Sequence, residues 1–197
     1  KDFVLGENPN LTNDLIATPL QDDIGVLLQY PNGATSTATI SCVTGAQNKG
    51  VYSFCIEPNG VTTLTPSSDQ NHLNGVSTFD LVRMSKNVLN VQPFTSGYQY
   101  LAADINHNNQ VTTLDIVELR KLILGIYTNF PANTSWRFID KNHQFNLADP
   151  FAGLAADGSN DQIPLNAGLT PYQADFVGIK IGDVTNDHDD CLYLKPA

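Results

Sequence analysis

Residues 75–91, GVSTFDLVRMSKNVLNV, lie over residues 110–126, QVTTLDIVELRKLILGI, without a gap. Such duplication constrains a fold strongly, because repeated units bury their apolar faces against their neighbours. In the first copy Phe79, Leu81, Val82, Met84, Val88, Leu89 and Val91 recur at near-helical spacing. In the second copy Leu114, Ile116, Val117, Leu119, Leu122, Ile123, Leu124 and Ile126 do the same. The spacing predicts two amphipathic helices. Each opens on a Ser or Thr cap followed by an early Asp, which suits the positive end of a helix dipole.

The residues before each helix read as calcium loops. A twelve-residue calcium loop takes side-chain oxygens at positions 1, 3 and 5, a backbone carbonyl at 7, a side chain or water at 9 and an acid at 12. In DINHNNQVTTLD (104–115) these positions hold Asp104, Asn106, Asn108, Gln110, Thr112 and Asp115. Position 6, usually Gly, is Asn109, the next best residue for a left-handed backbone. In DQNHLNGVSTFD (69–80), Asp69, Asn71, Ser77 and Asp80 fit positions 1, 3, 9 and 12, and Gly75 offers its carbonyl. Position 5 is Leu73, which has no ligand atom, so Asn74 or water takes that place. His72 and His107 both stand at position 4, which faces solvent in such loops. The expectation is two calcium sites, the first loop being the less complete.

Charge agrees with a cation ligand. The net charge is -10, with 17 Asp and only 3 Glu. Acids on helix surfaces include many Glu, the better helix former, whereas short Asp side chains serve turns, caps and hard-cation sites. This balance argues against nucleic acid or an anionic membrane as partner. No apolar run is long enough to span a bilayer. The sequence starts at Lys1 without a signal-like segment and reads as a processed product or a piece of a longer protein.

Upstream, residues 1–20 read as an extended arm. Residues 21–66 read as β structure. Apolar or Thr-rich runs at 24–30, 35–43, 51–56 and 61–65 are separated by Pro31-Asn32-Gly33 and Pro58-Asn59-Gly60 turns. Short strands at this spacing suggest a small sandwich, short of strands, which the arm or another chain would supply. Cys42 and Cys55 end two of these runs and would form either a disulfide or two buried thiols. Cys191 is free or pairs outside the chain, and no Cys/His cluster suggests zinc. Residues 128–175 are irregular, anchored by Trp136, Phe138 and Ile139, and 176–181 reads as a last strand. The segment DVTNDHDD (183–190) has oxygens at alternate positions but no helix after it, and reads as a solvated acidic tail in which Asp183 or Asp187 could complete a nearby site. DKNHQFNLADP (140–150) lacks loop spacing, and the N-glycosylation pattern at Asn133 reads as incidental.

Three segments together resemble a known family: LNGVSTFDLV (73–82), AADINHNNQVTTLDIVELRKLILGIYTNFPANTSWRFID (102–140) and DFVGIKIGDVTN (175–186). They resemble type I dockerin domains. They are more similar still to dockerin-like segments near the C-termini of large surface or secreted proteins of Bacteroidetes-type bacteria, where a small immunoglobulin-like or carboxypeptidase-regulatory-like β unit often precedes them. The resemblance implies an α+β chain with an arm (1–20), a β-sandwich unit (21–66), a dockerin-like module (67–190, with a long insertion at 128–175) and a short tail (191–197). It implies calcium-stabilised folding outside the cell.

No Ser/His/Asp order, GxSxG or HExxH motif appears, so the expected function is not enzymatic. It is a structural or adhesive module at the bacterial surface, whose partners are other copies of itself, through strand donation into filaments, or another surface protein. The alternative is a recognition module for a cohesin-like protein or a glycan.

Overall fold

The computed structural model describes residues 24–29, 35–40, 61–154, 163–166 and 176–187. The fold is mixed helix and strand, of α+β type. Its elements run β1 (Ile24–Gln29), β2 (Thr35–Ile40), β3 (Val61–Ser67), α1 (Thr78–Val88), α2 (Gly97–Ala103), α3 (Thr113–Ile123), β4 (Trp136–Asp140), β5 (Ile163–Asn166) and β6 (Phe176–Lys180).

The duplicated sequence folds as duplicated structure. Ser77 and Thr112 cap α1 and α3, and each forms a reciprocal capping box with the Asp three residues on. Both helices end in a Schellman turn, with Asn90 (φ 55°) and Gly125 (φ 70°) in the left-handed region. The N–H groups of Val91 and Ile126 return to the carbonyls of Lys86 and Lys121, each at 2.9 Å. Leu81 and Met84 of α1 and Leu119 and Leu122 of α3 enter one core. Phe79, Val82, Leu89 and Val91, and their counterparts Leu114, Val117, Leu124 and Ile126, stay exposed.

Helix α2, which no apolar spacing in the sequence predicts, leads straight into loop 104–115, with Asp104 as its C-cap. It is short and mostly small or aromatic, so it has little apolar period to detect. Leu101, Ala102 and Ala103 are buried.

The strands do not stay within residues 21–66. The antiparallel order β2-β1-β3-β5 draws β5 from the stretch expected to be an irregular insertion. Pro164 lies on β5, at the edge of this sheet among the described residues, where proline is tolerated. Pro66 lies past Leu64, the last β3 residue paired with β5. Strands β4 and β6 pair antiparallel, from Trp136↔Lys180 to Asp140↔Phe176. Trp136, Phe138 and Ile139 are buried, as expected of anchors. The described strands form these two sheets. Cys42, Cys55, Cys191, the arm and the 51–56 run lie outside the described residues.

Candidate metal centre

Loop 104–115 is organised around two buried carboxylates. Asp104 Oδ1 accepts from the Asn108 N–H and Oδ2 from the Asn109 N–H, each at 3.0 Å. Asp115 Oδ2 accepts from the Thr112 N–H at 2.8 Å and its hydroxyl at 3.2 Å, while Oδ1 accepts from the Asn106 N–H at 3.3 Å. Asn108 Oδ1 accepts from the Gln110 N–H at 3.0 Å. His107 (φ 57°) and Asn109 (φ 60°) take the left-handed conformation that tightens the turn, which Asn tolerates better than most residues. Asn133 clamps the loop from outside, its Nδ2 donating to the Asp104 carbonyl at 2.9 Å. That amide is therefore committed to the fold. The six residues expected as ligands in this loop, half of the twelve expected in all, are among the described residues.

The carboxylates here are expensive to bury. Asp104 and Asp115 are 0% exposed, and neither makes a salt bridge among the described residues. Burial pushes Asp104 up to about 6, with the Asp115 charge adding to the rise and the Asn108 and Asn109 N–H groups opposing it. The Arg137 charge also acts to lower Asp104. Among the described residues, Oδ1 and Nδ2 of Asn106 and Oδ1 of Asn109 are buried without a hydrogen-bond partner. Carboxylate and amide oxygens gathered in this way could hold a hard cation.

The second cluster differs from the one sequence suggests. Asp80, Asp183 and Asp187 bring carboxylate oxygens within 4.8 Å of one another. Asp80 and Asp183 are buried and Asp187 is exposed. Asp183 Oδ1 accepts from the Asp187 N–H at 3.1 Å, as Asp104 does from Asn108. Asp80 Oδ1 accepts from the Thr185 N–H at 3.1 Å, as Asp115 does from Asn106. Asp80 Oδ2 accepts from the Ser77 N–H at 2.8 Å, the same distance as in the Thr112–Asp115 pair. Asn186 (φ 57°) matches His107. Asp183, Thr185 and Asp187 thus stand where Asp104, Asn106 and Asn108 stand, and Ser77 and Asp80 where Thr112 and Asp115 stand. The same scaffold occurs twice, once in contiguous chain and once split between the end of the described chain and the start of α1. Burial raises the Asp80 carboxyl above its ordinary value, with the Asp183 charge adding to the rise.

Residues 69–74 lie apart from this cluster. Asp69 is not in this cluster; its Oδ1 accepts from the Ser135 N–H at 2.8 Å and lies 3.0 Å from His72 Nε2. His72, expected to face solvent, is 4% exposed, and its Nδ1 accepts from the Phe130 N–H at 3.2 Å. Asn71 (φ 47°) turns the chain, its carbonyl accepting from the Asn74 N–H, and Leu73 is exposed. This turn pins the strand β3 exit to the start of β4, and Gly75 (φ 73°) leads out of it toward Ser77.

Glycine 182 explains how the distant segment reaches α1. Its N–H donates to the Ala102 carbonyl at 2.8 Å. A Cβ there would meet Leu119 Cδ1 and Val76 Cγ2, both at 2.9 Å. Gln99 Nε2 holds the Val184 carbonyl at 3.3 Å. The segment read as a solvated tail is therefore packed between the two repeats through residue 184. The alternate oxygens of DVTND were the available signal; the helix that completes them begins more than a hundred residues earlier. Asp140 Oδ1 makes a local turn with the Asn142 N–H at 2.8 Å and gathers no further acid among the described residues.

Comparison with protein-family models, with curated proteins and with solved structures finds no match to the chain.

Proposed function

We propose that this chain is a calcium-binding structural module of a secreted or surface-exposed bacterial protein, in which two calcium ions staple paired loop–helix units into one body. The observation that carries the reading is the carboxylate scaffold repeated at the N-termini of α1 and α3, one copy contiguous and one split. The first site would draw on Asp104, Asn106, Asn108, Asp115 and the Gln110 carbonyl; the second on Asp80, Asp183, Thr185 and Asp187. These donors are carboxylate, amide, hydroxyl and carbonyl oxygens. Calcium takes six to eight oxygens in flexible geometry, magnesium demands a stricter octahedron, and zinc prefers nitrogen and sulfur. The ion in the split site acts as a clasp. Without it three carboxylates repel one another across the contact that holds Ile181 and Val184 in the core. The role is one of stability and architecture, and the proposal includes no catalysis.

The test is thermal unfolding of the full chain in excess calcium and in EGTA. Binding to the folded state raises Tm with free calcium concentration. A Tm indifferent to calcium overturns the reading.

A second reading, recognition of another surface protein, is favoured by one observation: both helices leave apolar side chains exposed at the same repeat positions. Contiguous exposed apolar surface marks interaction sites. Under it, Phe79→Ser combined with Leu114→Ser keeps the calcium-dependent Tm but loses a purified partner that wild type retains. Equal retention by the double variant sinks it.

A further inference from the structure

We draw no further inference here: the strongest candidate, the matching rows of exposed apolar side chains on α1 and α3, already carries the second reading above, and nothing in the structure shows what covers it.

Discussion

Thr185 donates both its N–H and its hydroxyl to one oxygen of Asp80, at 3.1 and 2.9 Å, across 105 residues of sequence. That pair closes the split scaffold. Thr185→Val keeps the side-chain shape and removes one of the two hydrogen bonds and a ligand oxygen. Unfolding in EGTA should show a loss of about 1 kcal/mol, the usual worth of such a bond. In calcium the loss should be larger, because a ligand has gone as well. An equal loss in both media would mean that Thr185 serves the fold alone.

Gly182 has φ 91° and close neighbours on both repeats. Gly182→Ala forces a Cβ against Leu119 and Val76 at a backbone conformation L-residues avoid. The expected cost is about 1–3 kcal/mol in urea unfolding, as for overpacked cores. Calcium affinity of the split site should fall more than that of loop 104–115. Unchanged stability would show that the 181–187 segment is not seated as described.

Asp69 separates the contiguous first loop predicted from sequence from the split one. Asp69→Ala leaves the Ser135 N–H without its acceptor, at a cost of about 1–3 kcal/mol for a buried unsatisfied donor. That cost should be the same with and without calcium. A drop in the number of ions bound would restore Asp69 as a ligand.

Acidity should oppose calcium. In the calcium-free fold Asp104 is raised by burial to about 6 from 3.8, and Asp80 is raised in the same direction. A folded-state value above the unfolded one means that the folded protein binds the extra proton. Its stabilising contribution is complete below the unfolded value and is lost as pH rises through the folded value. Protonation also removes the charge a cation needs. The Tm difference between calcium-loaded and calcium-stripped protein, both in chelator-free buffer, should therefore widen from about pH 4 to above about pH 6. A difference that stays constant over this window contradicts buried ligand carboxylates.

Local signals made much of this molecule legible before its structure. The periods of α1 and α3, their Ser77 and Thr112 caps, loop 104–115, strand β3 and the Trp136 anchor all follow from neighbouring residues. What escaped depends on chain brought together from far apart. Strand β5 is four residues long and carries a Pro, so only its pairing with β3 defines it. Asp69 has the residue type and spacing of a first ligand, yet the Ser135 N–H and His72 claim its carboxylate. Asp183 lacks a following helix in sequence, so its segment reads as an acidic tail in which Asp183 or Asp187 could complete a nearby site, and only the fold shows that Asp80 is the neighbour. The segment 175–186 that carries the family resemblance takes in Asp183 and Thr185 but stops short of Asp187.

The most direct measurement is the number of calcium ions bound per chain, by calorimetric titration of chelator-treated wild type, Asp187→Ala and Asp104→Ala. Asp187 is exposed, so removing its side chain opens no cavity in the core. The expected result is two ions for wild type and one for each variant. Two ions still bound by Asp187→Ala would contradict the split site, and none bound by wild type would contradict the calcium reading altogether.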